Sequence, residues 1–222
     1  MIINFSHFKG GVGKTSLTIN TAIALQKEGY EVVILDLDGL ESSVLFNKIR
    51  VKNGYDSLNC IVLKSVGIKE IVAEIKEIFK EFSGDNNKIL MVDSGGYDGD
   101  VNRYTMLNAE ILITPVSPSQ VEVFGLQKYM AVLKQISKKS GQVFKTNVVV
   151  NNADIRSQGS ITELKEFIAE NNDYMDLYQT IIYSRAIFKQ AYGEGLGVVE
   201  SDTNSKAALE IMQLVKEIKK DF

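Results

Sequence analysis

Ten residues near the amino end, His7-Phe8-Lys9-Gly10-Gly11-Val12-Gly13-Lys14-Thr15-Ser16, constrain this chain more than any other stretch. They join a short apolar run, residues 2–6, to a segment of helical character that begins at Lys14. A strand that passes through a glycine-rich turn into a helix aims successive backbone N–H groups, and the positive end of the helix, at one point; that point attracts phosphate. Lys14 would then reach the β and γ phosphates of a nucleotide, Thr15 would hold magnesium through its hydroxyl, and Ser16 would support the α phosphate. A plain glycine turn before a helix explains the glycines but not the lysine and hydroxyl beside them. The spelling is irregular all the same. The general pattern G-x-x-x-x-G-K-[ST] asks for glycine where this chain has Phe8, and Lys9 adds a second positive charge.

The rest of the chain supplies the fold such a loop needs. Apolar runs over residues 2–6, 31–36, 88–93, 110–114, 143–151 and 180–183 read as buried strands. Helical periodicity marks residues 14–28, 68–82, 120–139, 160–170 and 205–220, with a short helix expected around 44–50 inside an irregular stretch, 39–59. Strands alternating with helices predict an α/β fold, a mostly parallel sheet flanked by helices on both faces, in a single domain over residues 1–222. With 222 residues, 45% of them hydrophobic, a net charge of -3 and no apolar run of about 18 residues, the chain reads as neither disordered nor membrane-spanning. The expected location is the cytosol. One cysteine, Cys60, leaves no pair for a disulfide or for a cysteine-held metal or cluster, and its apolar neighbours predict a buried thiol.

Two further strand ends carry carboxylates. Val32-Val33-Ile34-Leu35-Asp36-Leu37-Asp38 delivers two aspartates, and Ile89-Leu90-Met91-Val92-Asp93 delivers one, to the edge of the sheet where nucleotides bind in open α/β folds. Asp93 has the setting of a Walker B residue holding a magnesium-bound water, and the glycines after it would let that loop follow a γ phosphate. Single strand-end aspartates also cap helices, but three strand ends converging on one phosphate loop favour the catalytic reading.

Lys9-Gly10-Gly11-Val12-Gly13-Lys14-Thr15 resembles the deviant Walker A loop of the ParA/MinD group of P-loop ATPases, in which an additional early lysine reaches across an ATP-bridged dimer to the partner's phosphates. The resemblance covers nearly the whole chain. It implies the P-loop NTPase fold, ATP and Mg²⁺ as cofactors, Lys9, Lys14 and Asp38 as catalytic residues, and nucleotide contacts from Lys9 to Ser16 and from Asn151, an adenine contact in the family. It also implies metal binding by Thr15 directly and by Asp93 and Asp38 through water. Phe8, where MinD-like members carry glycine, points to the ParA side, in the short form without an N-terminal DNA-binding domain. Gly39-Leu40 after Asp38 and Ser94-Gly95-Gly96 after Asp93 depart from the proline-containing family sequences.

The partners implied are a second copy of the chain, nonspecific double-stranded DNA on the nucleoid, and a ParB-like centromere-binding protein that accelerates ATP hydrolysis. Lysines 128, 134, 138, 139 and 145 fall in the acid-free stretch 123–153, and a second basic set, Arg185, Lys189, Lys206 and Lys216, is the expected DNA contact. A MinD-like regulator on a membrane is the main alternative, since residues 207–218 are amphipathic; their acidic residues favour a helix packed on the sheet. An ATP-dependent synthetase of the dethiobiotin type is a third reading, one that has no use for Lys9. His7 has no sequence partner that suggests catalysis and reads as structural.

Overall fold

The computed structural model describes residues 1–39, 41–85 and 87–222. Seven strands, β1 (Ile2–Phe5), β2 (Glu31–Asp36), β3 (Asn59–Val62), β4 (Lys88–Asp93), β5 (Ile111–Val116), β6 (Thr146–Ala153) and β7 (Met175–Tyr183), form one sheet in the order β3-β2-β4-β1-β5-β6-β7. All neighbouring strands run parallel. The helices are α1 (Lys14–Lys27), α2 (Ser42–Lys52), α3 (Ile68–Phe82), α4 (Asp100–Asn108), α5 (Gln120–Ser140), α6 (Gln158–Glu170), α7 (Ala186–Glu194), α8 (Val198–Ser201) and α9 (Lys206–Ile218).

Side chains alternate across each strand, so both sheet faces are apolar and both need cover. Ile3 and Phe5 of β1, Val32 and Ile34 of β2, and Ile89 and Met91 of β4 pack in the layer that holds α1, α8 and α9. On the other face Ile2, Val33, Leu35, Leu90 and Val92 meet Ile75, Phe79 and Phe82 of α3, and Val148 and Val150 of β6 meet Leu126 of α5 and Leu164 of α6. β1 lies in the middle, and the chain passes from β4 on one side of it to β5 on the other. The loop after β1 therefore opens at the point where the connections diverge, the usual place for a ligand crevice in such sheets.

The sheet and its flanking helices match the expectation, and β2, β4 and α3 have the expected bounds. The differences are physical. β3 is a four-residue edge strand whose Cys60 is half-buried rather than buried; its burial lifts the thiol to about 11, so it stays protonated and weakly reactive. β7 starts five residues before the expected Thr180, because its polar positions Asp176 and Gln179 hide the strand. α4 turns Asn102 and Thr105 inward, so it lacks an apolar stripe to read. Of the stretch after Asp38, Leu40 lies outside the described residues.

Two polar fastenings hold the periphery. Arg50 of α2 is 6% exposed and donates to both carboxylate oxygens of Glu200 on α8, each at 2.7 Å, to the Gly195 carbonyl at 2.9 Å and to the Asp56 carbonyl at 2.6 Å. At the sheet's β7 edge, α9 supplies the acceptors a missing strand would have offered. Glu217 accepts from Gln179 N at 2.6 Å and Thr180 Oγ1 at 2.7 Å, and Glu210 accepts from Tyr183 N at 3.1 Å. The other side of α9 is apolar, with Ala207, Ile211, Leu214, Val215 and Ile218 fully buried against the sheet and α1. That is the packed terminal helix expected from its acidic residues. Among the described residues no helix is long and apolar enough to cross a membrane.

Candidate nucleotide-binding site

The loop between β1 and α1 is held by contacts on all sides. Gly13 caps α1 at φ +95°, in the left-handed region, and a Cβ there would lie 2.2 Å from Asn151 Nδ2. Asn151, at the end of β6, donates that Nδ2 to the Val12 carbonyl at 2.7 Å, so β6 fixes the loop directly. Gly13→Ala is expected to add about 1–3 kcal/mol of backbone strain and to displace Asn151. A thermal melt with and without ATP should show a lowered midpoint and little added stabilisation by the nucleotide.

Lys14 is 7% exposed and folds back to donate Nζ to the Lys9 carbonyl at 3.1 Å. Burial lowers its pKa, while Asp93 and Asp38 pull the other way and keep a cation worthwhile there. Asp93, at the end of β4, is fully buried; burial first, then Asp36, lifts it to about 7, against the pull of Thr15, Lys14 and Ser43. Ser43 of α2 donates its hydroxyl to Asp93 Oδ2 at 3.2 Å and its backbone N–H to Asp36 Oδ2 at 3.0 Å. Asp36 Oδ1 in turn accepts from Asp38 N at 3.0 Å, which sets the direction in which Asp38 leaves the strand. Asp93 Oδ1 is buried without a partner. A raised carboxylate with an orphaned oxygen beside the Thr15 hydroxyl is a donor set that fits a hydrated divalent cation, which would supply charge neutralisation at phosphate oxygens.

Two adjoining cavities share Gly11, Gly13 and Ser16. One, of about 420 Å³, is lined by Gly10, Lys14, Thr15, Asp38 and Tyr97; the other, of about 390 Å³, is lined by Asn151, Ile182, Tyr183, Arg185, Phe188 and Tyr192. The first is polar and cationic enough for a polyphosphate, and the second offers aromatic walls for a base. Gly96 closes the polyphosphate side: a Cβ on it would come within 3.0 Å of Gly10 N, so the Ser94-Gly95-Gly96 departure lets this loop lie directly on the phosphate loop. Asn102 of α4 anchors the same loop, donating Nδ2 to the carbonyls of Gly95 at 3.2 Å and Tyr97 at 2.6 Å.

Lys9 projects from the other side of the loop and pairs with Glu122 in the first turn of α5. The lysine side chain is 42% exposed, the glutamate 10%. His7, 1% exposed, accepts the Lys9 N–H at Nδ1 over 2.9 Å and stacks on Tyr129 of α5 with a centroid separation of 5.7 Å. Burial, then Lys14 and Lys9, press its pKa down to about 4, so the ring is neutral at physiological pH.

Of the expected nucleotide and metal residues, Gly10, Gly11, Gly13 to Ser16, Asp38 and Asn151 line these two cavities, Val12 and Asp93 are buried behind them, and Lys9 turns away to Glu122. The expected DNA contacts separate. Lys189, Lys206 and Lys216 are exposed, with no carboxylate in ion-pair range among the described residues, whereas Arg185 pairs with Glu210 at 2.5 Å; Arg185 and Lys189 both line the base-sized cavity. Three residues of the site went unread in the sequence. Ser43 and Asn102 carry no motif. Glu122 carries none either, because its partner Lys9 lies more than a hundred positions away along the chain.

A family model described as the CobQ/CobB/MinD/ParA nucleotide binding domain matches residues 3–198. Virulence plasmid ParA family protein pGP5-D of Chlamydia muridarum is 28% identical over 249 residues, covering 96% of this chain and 90% of that protein. Among solved structures, a chain of the MinC:MinD cell division protein complex of Aquifex aeolicus superposes with a TM-score of 0.74 at 18% identity, covering 99% of this chain and 96% of its own. Apo McdA of Cyanothece gives 0.73 at 16% identity, covering 97% and 98%.

Proposed function

Because the chain belongs to the CobQ/CobB/MinD/ParA nucleotide-binding family, we propose that it is a Mg²⁺-dependent ATPase of the ParA type that dimerises on ATP and partitions plasmid or chromosomal DNA. The observation that carries this reading is Lys9, a second lysine at the mouth of a phosphate loop already served by the buried Lys14. One cation cradles the triphosphate from within; the other is half-exposed and in position to reach outward. When two ATP-bound subunits meet face to face, each Lys9 completes the charge around the other's γ phosphate, so ATP joins the dimer and hydrolysis releases it. Asp38 positions the attacking water, and Thr15, with Asp93 and Asp38 through water, holds the magnesium ion. Asn151 borders the adenine.

Support for DNA over a membrane comes from the helices. α9 spends its apolar face on the sheet and its carboxylates on β7, so little remains to enter a lipid surface. Lys189, Lys206 and Lys216, together with Lys128, Lys134, Lys138 and Lys139 of α5, are exposed cations on a chain of net charge -3. A dimer doubles them, which strengthens contacts that are weak singly. The protein would then sit on the nucleoid in its ATP form and leave after a ParB-like protein triggers hydrolysis.

The test is binding to random-sequence duplex DNA with ADP, ATP and a nonhydrolysable analogue across a salt series. Binding that needs the triphosphate, falls steeply with salt and is lost in Lys9→Ala is the expected result. Binding to anionic vesicles with ATP, and to DNA in no nucleotide state, would replace this reading with the MinD-like one.

A further inference from the structure

The Lys9–Glu122 pair sits on a second polar arrangement that the proposed reaction has not used. Of the buried polar atoms that lack partners, Glu122 Oε2 and His7 Nε2 are the two that border Gly125. Because His7 Nδ1 accepts the Lys9 N–H, the neutral ring carries its proton on Nε2. The orphans are therefore one donor and one acceptor. Gly125 of α5 leaves the space they face: a Cβ there would lie 3.8 Å from His7 Nε2 and 4.0 Å from Glu122 Oε2. Stacking on Tyr129 holds the imidazole in place. A carboxylate as buried as Glu122, which is 8% exposed, is costly to leave without a cation or donor, so any movement of Lys9 away from it calls for a replacement.

We propose that His7 is a positioning residue for Lys9: when the lysine leaves Glu122 for the phosphates of a second subunit, the carboxylate turns across Gly125 onto the Nε2–H of His7. This rests on the reading of Lys9 as a residue that acts across the dimer. The exchange trades an ion pair for a charge-assisted hydrogen bond within one subunit, and it lowers the cost of releasing the lysine. His7 thereby has two tasks on its two nitrogens. Nδ1 fixes the backbone of Lys9 in every state, and Nε2 receives Glu122 only when the side chain of Lys9 is gone.

His7 is the only histidine in the chain, so its ring signals in a nitrogen-15 NMR spectrum need no assignment. The full-length protein is compared without nucleotide, with ADP and with a nonhydrolysable ATP analogue, while light scattering reports dimerisation separately. The Nε2 signal is expected to move in the analogue-bound dimer, and to be already moved in nucleotide-free Lys9→Ala, where Glu122 has lost its lysine. Two substitutions separate the nitrogens. His7→Asn keeps an acceptor near Nδ1 without the distal donor, and His7→Gln supplies a donor near Nε2. Asn should bind ATP within about threefold of wild type yet dimerise at least about tenfold more weakly, and Gln should recover part of that loss. An unmoved Nε2 signal in Lys9→Ala, or equal dimerisation by the Asn and Gln variants, overturns the proposal. A wild-type protein that stays monomeric with ATP overturns the dimer reading and the proposal built on it, and scattering alone shows that.

Discussion

Replacing Lys14 by alanine is expected to lower ATP hydrolysis by about 10²–10³-fold, the loss typical of removing one preorganised charge donor from a transition state. Lys14 is almost fully buried, donates to the Lys9 carbonyl at 3.1 Å, and faces Asp93 and Asp38, so no mobile surface lysine can take its place. The carboxylates would suffer too. Asp93 already titrates near 7 because burial disfavours its charge, and Lys14 is one of the groups holding that value down. Without the lysine the Asp93 pKa should climb further, protonating the group proposed to hold the metal's water, and magnesium binding near neutral pH should weaken. Phosphate release measured over a magnesium series would check both effects. A rate within tenfold of wild type at saturating magnesium would remove Lys14 from the chemistry. Lys14→Arg should not rescue, since a planar fork does not fit the slot that a single ammonium fills.

Arg50→Ala is expected to cost about 3–5 kcal/mol of folding stability, because it removes one partner of a buried ion pair and leaves Glu200 and the Gly195 and Asp56 carbonyls short of donors. The urea midpoint reads this directly. The pH dependence has a sign that can be worked out. Burial works to raise the Glu200 pKa, but the hydrogen bonds from Arg50 and from Gly197 N outweigh it, and the net value lies below that of an ordinary glutamate. Stability from this pair is therefore complete above the unfolded pKa of a glutamate and is lost as pH falls through the lowered folded value. In Arg50→Ala the Gly197 N–H and Lys27 still oppose burial, so the Glu200 pKa should rise from its lowered position and the loss of stability in acid should become shallower. A loss under about 1 kcal/mol, or an unchanged acid limb, would mean that α2 and α8 are held by their apolar contacts alone.

The parts of this protein that were legible from sequence are those in which one residue type does one physical job. Glycines that must turn and a lysine that must meet phosphate mark the loop; apolar runs ending in Asp36 and Asp93 mark two strands and the carboxylates they deliver. What stayed hidden is polar structure that faces inward. α4 buries Asn102 and Thr105 because the Gly95 and Tyr97 carbonyls need a donor, and such a helix has no stripe to recognise. β7 was hidden by the opposite route, since at the edge of the sheet it exposes Asp176 and Gln179, which break its apolar run. Glu122 escaped for a related reason. It gains meaning only through Lys9, more than a hundred positions away, and spacing along the chain carries no trace of that.

The glutamates of α9 also limit how copies of this chain can join. A sheet extends from molecule to molecule only where a strand offers unanswered backbone groups, and β7 has had Gln179 and Tyr183 answered from within. β3 pairs only with β2 among the described residues, and no side chain of α9 guards its outer edge. Two such edges meeting about a twofold axis use each other up, and the assembly stops at two. Strand addition at β7 is thus hindered where Glu217 and Glu210 already hold its backbone.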